Sequence, residues 1–144
     1  MKMVPVYFSL GTNQGDRRAR IDEALRRLDK AIGRSYEALS SIIESKAWGF
    51  DGADFLNCVV RYRTARRPQT LLRLCKRIER AMGRRETPEY DAEGRRIYHD
   101  RPIDIDILLY GDERVDTPEL QIPHPLMRQR DFIMRPLEEI FPQK

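Results

Sequence analysis

Alternating apolar positions over residues 4–10 predict a β-strand, ended by the polar turn Gly11-Thr12-Asn13-Gln14-Gly15-Asp16. The period then changes from two to 3.6. Ile21, Ala24, Leu25, Leu28 and Ile32 share one stripe of a helix that Asp16 can cap and Gly33 can stop. Residues 38–48 and 54–64 read as two more strands, joined by the short connection Gly49-Phe50-Asp51-Gly52-Ala53 and therefore expected to pair antiparallel. Pro68 suits the first turn of a second helix, with Leu71, Leu74, Cys75, Ile78 and Met82 as its buried face and Gly83 as its C-cap. Residues 84–101 follow neither period and predict a long charged loop, which in a small domain is usually functional or disordered. A fourth strand runs through Ile103, Ile105 and Ile107. After it come the turn Gly111-Asp112-Glu113, a short strand near Val115, and helical turns over residues 126–130 and 136–140, broken up by Pro118, Pro123, Pro125 and Pro136.

The predicted order is β-α-β-β-α-β with a C-terminal appendage. Two right-handed crossovers put both helices on one face of a four-stranded antiparallel sheet, which makes a ferredoxin-like α+β sandwich. The 144 residues suit one domain, 1–144. Cys58 and Cys75 lack partners at metal-ligand spacing and are expected as reduced, half-buried thiols. With no apolar run long enough to span a bilayer and no signal-peptide pattern at Met1-Lys2-Met3-Val4-Pro5, the expectation is a cytoplasmic protein without a membrane partner. A monomer is the expected state. The net charge of +4 suits either polyphosphate or nucleic acid, and its sign alone does not choose.

The candidate chemistry starts inside the fourth strand. Asp104 and Asp106 interrupt an otherwise apolar, β-branched run, and strand geometry sends them to the face opposite the isoleucines. A rise of roughly 3.3 Å per residue sets them about 7 Å apart. Two bare charges at that distance repel by about 2 kcal/mol at an effective dielectric near 20. A divalent cation reverses the sign, and Mg²⁺ suits a site of one or two carboxylates shared with substrate phosphates. A solvated polar strand face would show the same alternation.

Three further groups bear on that choice. Lys76, Arg77, Arg80, Arg84, Arg85, Arg95, Arg96 and Arg101 crowd the second helix and the long loop, with Arg84 and Arg101 at the loop's hinges. His124 is held between Pro123 and Pro125, and Arg128 and Arg130 follow within a turn or so, as in a phosphate clamp. Trp48, Phe55, Tyr98 and Phe132 could form a slot for a flat heterocycle, and Asn57, two residues after Phe55 on the same strand face, could pair with a ring edge. Core packing and a solvated basic surface are the plain alternatives for these groups.

Taken in order, these residues resemble the 6-hydroxymethyl-7,8-dihydropterin pyrophosphokinase family of folate biosynthesis. The resemblance runs through Ser9-Leu10-Gly11-Thr12-Asn13-Gln14-Gly15-Asp16-Arg17, Phe55-Leu56-Asn57 and Ile78-Glu79-Arg80-Ala81-Met82-Gly83-Arg84. It is strongest at Arg101-Pro102-Ile103-Asp104-Ile105-Asp106-Ile107-Leu108, and it ends with Ile122-Pro123-His124-Pro125 and Arg130-Asp131-Phe132. It implies that Asp104 and Asp106 hold two Mg²⁺ ions on ATP, and that Asn57 and Phe132 bind the pterin. Tyr98 stands in for a loop tryptophan, and Phe55 for a common tyrosine. Main-chain groups from Ser45 to Trp48 would read the remaining pterin edge. Arg84, Arg101, His124 and Arg130 match triphosphate ligands, and the backbones of Ile107 and Gln121 fall where adenine is met.

The implied reaction is pyrophosphoryl transfer to the hydroxymethyl oxygen with release of AMP, catalysed mainly by positioning and charge neutralisation. Asp104, Asp106, Arg84 and Arg101 are the implied catalytic groups, and residues 49–53 and 84–101 the lids. The chain departs from the family pattern in its longer loop before Arg101, in Tyr98-His99-Asp100 in place of the common W-G-P, in Pro125, and in Lys76. Glu79 matches a family glutamate and is expected to form a salt bridge to the basic loop. The chain ends at Lys144, where no fused dihydropteroate synthase is expected. An RNA-binding module is a rival on the same fold, but RNP-type aromatics on adjacent central strands are missing, so no nucleic-acid partner is expected. A metal-dependent nucleotidyl transferase with another acceptor is a second rival.

Overall fold

The computed structural model describes residues 2–47, 52–83, 89–97 and 102–142. β1 (Val4–Thr12) leads into α1 (Arg17–Ile32), which starts where Asp16 Oδ1 accepts the Ala19 N–H at 3.1 Å and stops at Gly33. β1 is longer than its apolar alternation indicated, because Gly11 and Thr12 still pair with a neighbouring strand. The strand expected over 38–48 is two short ones, β2 (Ala38–Leu39) and β3 (Ile43–Ser45), both antiparallel to β4 (Phe55–Thr64). Side chains interrupt it. Ser40 Oγ accepts the Val59 N–H at 2.8 Å, and the Glu139 carboxylate takes both the N–H and the hydroxyl of Ser41.

α2 (Pro68–Ala81) follows with its expected buried face, and Glu79 is buried there as well. Within the stretch expected as a structureless loop, β5 (Glu89–Tyr90) and β6 (Arg96–Ile97) form a hairpin. Asp91 organises its turn by accepting the N–H groups of Glu93 and Arg95. Strands of two residues carry no period to read. β7 (Asp104–Tyr110) is antiparallel to β1, and a hairpin of β8 (Val115–Asp116) and β9 (Gln121–Ile122) follows.

The main sheet runs β2-β4-β1-β7, with β3 continuing the β2 edge of β4. On one face Val6, Phe8, Leu10, Cys58, Val60, Tyr62, Ile105 and Ile107 pack in one core with the stripes of α1 and α2. This is the expected ferredoxin-like α+β arrangement. The cysteines are fully rather than half buried, which pushes the Cys58 thiol up to about 12 and Cys75 well above its usual range, so both are unreactive at neutral pH.

The C-terminal appendage is a third layer on the opposite face. α3 (Asp131–Ile140) is a full helix with Pro136 inside it, not the single turn expected at residues 136–140. Ile133 and Leu137 bury against Tyr7, Val59 and Leu108, and that burial outweighs the hydrogen bond the proline cannot make. Arg61 anchors the far end by donating to the Ile140 carbonyl at 2.9 Å. No described helix is long and apolar enough to cross a membrane.

Candidate active site

The site lies on the α3 face, where three strands change from apolar to polar. β1 runs Tyr7, Ser9, Gly11 along that face, β4 runs Val59, Asn57, Phe55, and β7 runs Leu108, Asp106, Asp104. Register aligns them into rows. Ser9 is opposite both Val59 and Asp106, and Gly11 is opposite both Asn57 and Asp104. At about 4.8 Å between strands, Asn57 and Asp104 are about 10 Å apart across Gly11.

Asp104 and Asp106 are half-buried on the face opposite Ile105 and Ile107, as the alternation predicts. Beyond Ile107 the alternation breaks. Tyr7 pairs with Leu109 and Phe8 with Ile107, so Leu108 is an extra residue in the ladder. Its carbonyl accepts the backbone N–H of His124 at 3.0 Å, which draws the Pro123-His124-Pro125 segment against the acid strand. The Leu126 N–H donates to His124 Nδ1 at 3.2 Å, so the neutral ring carries its proton on Nε2. Burial, reinforced by the Arg130 charge and opposed by that of Asp104, holds the imidazole below its ordinary pKa. At neutral pH His124 is therefore a hydrogen-bond donor.

Arg130 is half-buried, with its guanidinium 5.8 Å from the Phe132 ring centre, whereas Arg128 is exposed on the 3₁₀ turn Met127–Gln129. Phe132 lies in the first turn of α3, at the edge of the apolar cluster. Asn57 is buried, and its Nδ2 donates to Ser45 Oγ at 2.7 Å, with Ser45 opposite Phe55 across β3 and β4. The Ile107 side chain belongs to the helix-side core, and Gln121 is exposed on β9. Trp48, Arg84, Tyr98 and Arg101 lie outside the described residues.

Two features have partners that the sequence did not indicate. The buried Glu79 accepts the Ile105 N–H at 2.8 Å, with Lys76 Nζ 3.9 Å from its other oxygen. Glu79 thus caps an edge strand between the two aspartates, and residues 84–88 and 98–101 of the basic loop, to which a salt bridge was expected, lie outside the described residues. Second, Asn13 donates to the Ala53 carbonyl at 3.0 Å and Arg17 to the Asp54 carbonyl at 3.0 Å. Arg17 also pairs with Glu44 at 2.9 Å and so straps both stems of the β3–β4 connection to the start of α1.

Residues 7–142 match the model of the 7,8-dihydro-6-hydroxymethylpterin-pyrophosphokinase family. The chain belongs to this family. It is 44% identical over 142 residues to the 2-amino-4-hydroxy-6-hydroxymethyldihydropteridine pyrophosphokinase of Porphyromonas gingivalis, covering 97% of this chain and 92% of that protein. To the Aquifex aeolicus protein of the same name it is 43% identical, covering 97% and 82%. The fold also matches a crystal structure of an HPPK-DHPS in complex with substrates, at a TM-score of 0.68 and 15% identity, over 98% of this chain and 40% of that one. As a pyrophosphokinase of folate biosynthesis, the chain must bring a donor triphosphate to a pterin alcohol. A pair of half-buried carboxylates on β7 and a buried carboxamide on β4, with Gly11 between Asn57 and Asp104, suit that task. The carboxylate pair fits Mg²⁺, a hard ion content with one or two protein ligands. Among the described residues no cluster of three or more acidic, His or Cys groups offers the fuller protein ligand set of a structural zinc or calcium site.

Proposed function

We propose that the protein is an Mg²⁺-dependent enzyme that transfers the pyrophosphoryl group of ATP to the hydroxymethyl oxygen of 6-hydroxymethyl-7,8-dihydropterin and releases AMP. Asp104 and Asp106 would hold two Mg²⁺ ions. When bound, these ions neutralise the triphosphate and render its β-phosphorus electrophilic. His124, as an Nε2–H donor, and the half-buried Arg130 grip phosphate oxygens, aided by Arg84, Arg101 and the more exposed Arg128. The backbones of Ile107 and Gln121 meet adenine.

The Asn57 carboxamide, braced by Ser45, pairs with the pterin edge, and the main chain from Ser45 to Trp48 reads the rest. Phe132 and Phe55 supply aromatic faces, and Tyr98 closes from the loop. The alcohol oxygen attacks the β-phosphorus in line, the bond to the α-phosphate's bridging oxygen breaks, AMP departs, and the alcohol proton passes to water. His124 is a donor rather than the base, since its Nδ1 lone pair is already engaged. The row Asn57, Gly11, Asp104, found in a chain of this family, is the observation that carries the reading. With α1 and α2 on one sheet face, α3 on the apolar end of the other, and only scattered large apolar residues exposed among those described, the protein is read as a single-domain monomer that works in the cytoplasm.

The test is to incubate the protein with ATP, MgCl₂ and the dihydropterin and to separate the nucleotides by chromatography. AMP should accumulate in step with pterin pyrophosphate and stop on adding EDTA. ADP as the product, or turnover unaffected by EDTA, overturns the proposal.

A further inference from the structure

We infer that Gly11 is a specificity-determining residue, whose missing side chain leaves the floor of the pterin slot flat between Asn57 and the aspartate pair. Gly11 is buried one residue from the end of β1, still paired on both sides, and its φ is not in the left-handed region that favours glycine. Backbone conformation therefore gives no reason for it. A glycine in such a strand costs stability and commonly marks a close approach by a ligand.

The space it leaves identifies the ligand side. A Cβ at position 11 would stand 3.1 Å from Asn57 Oδ1 and 3.6 Å from Phe55 Cδ2, both groups of the candidate pterin slot. Asn57 cannot simply swing away, because its Nδ2 is tied to Ser45 Oγ at 2.7 Å. A methyl group would shift the carboxamide oxygen by tenths of an ångström, at the atom that would accept from the pterin edge. It would also raise the floor along the line that the hydroxymethyl arm crosses toward Asp104. The inference rests on the proposed pterin site.

The test is Gly11→Ala, with folding checked by circular dichroism. Binding is measured calorimetrically, first for the nonhydrolysable Mg-α,β-methylene-ATP and then for 6-hydroxymethylpterin with that nucleotide present. The expected result is nucleotide affinity within about twofold of wild type and pterin affinity weaker by at least about tenfold. If wild type itself binds no pterin, the function proposal fails rather than this one. A folded Gly11→Ala protein with wild-type pterin affinity overturns the inference. The Asn57→Ala background removes the contacted oxygen and keeps the test alive if the single variant does not fold. There Gly11→Ala should cost less than about twofold in pterin affinity, and a further tenfold loss means that Gly11 does not act through Asn57.

Discussion

The two ends of the α3 face share the same three strands and differ in what covers them. At one end Tyr7, Val59 and Leu108 lie under Ile133 and Leu137; at the other Gly11, Asn57 and Asp104 form a polar row beyond the helix start at Asp131. The first end stabilises the fold through buried apolar area. The second sets carboxylates near one another and holds a glycine where alanine would suit the strand better. The site is thus carried by strands whose positions are secured elsewhere, by the α1/α2 core on one face and by α3 on the other.

That division can be broken from either side. The largest expected effect is for Asp106→Ala, which should lower kcat by about a thousandfold or more while leaving the thermal midpoint nearly unchanged. Wild-type turnover by that variant would remove Asp106 from the site. At the apolar end, Leu108→Ala should cost about 2–5 kcal/mol in urea unfolding by leaving a cavity under α3. A loss below about 1 kcal/mol would mean that α3 is not what stabilises this face.

Glu79→Ala tests the brace between the two functions. It leaves the Ile105 N–H without its carboxylate acceptor, at a cost of about 1–3 kcal/mol, and should speed hydrogen exchange at Ile105 more than at Phe8 in the core strand. Equal exchange changes at both amides would make Glu79 a general stabiliser rather than an edge brace. The smallest effect is electrostatic. Because His124 has a lowered pKa in the folded protein, the unfolded chain binds more protons between the two pKa values. Its contribution is therefore complete above the unfolded value of about 6.5 and is lost progressively as pH falls from there through the lower folded value. Nitrogen-15 spectra should show Nε2 protonated at pH 7 and a titration midpoint below 6.5; an Nδ1–H tautomer would contradict the Leu126 contact.

Both long helices were legible, because each buries an apolar stripe at helical spacing and begins or ends at residues with local reasons to be there, such as Asp16, Gly33 and Pro68. The Asp104/Asp106 pair was legible as far as its face, since alternation in a strand has a fixed consequence. Legibility failed where distant side chains decide local structure. The break at Ser40 and Ser41 depends on Val59 and Glu139, which lie far along the chain. Likewise, the prolines of the C-terminal segment suggested interruptions, whereas burial against the sheet carries α3 through Pro136. Gly11 reads as a turn residue for a similar reason, because only its two pairing neighbours show that the strand continues through it.

Fold class, family and the types of residue available for the chemistry follow from the order of amino acids, because period, caps and ordered motifs are local properties of the chain. Which residues stand beside which was decided by the tertiary structure. Register across three strands puts Gly11 between Asn57 and Asp104. The extra residue at Leu108 draws His124 to the acid strand, and the start of α3 leaves one end of the sheet polar. These are relations between segments tens of residues apart, and only packing of the whole chain sets them.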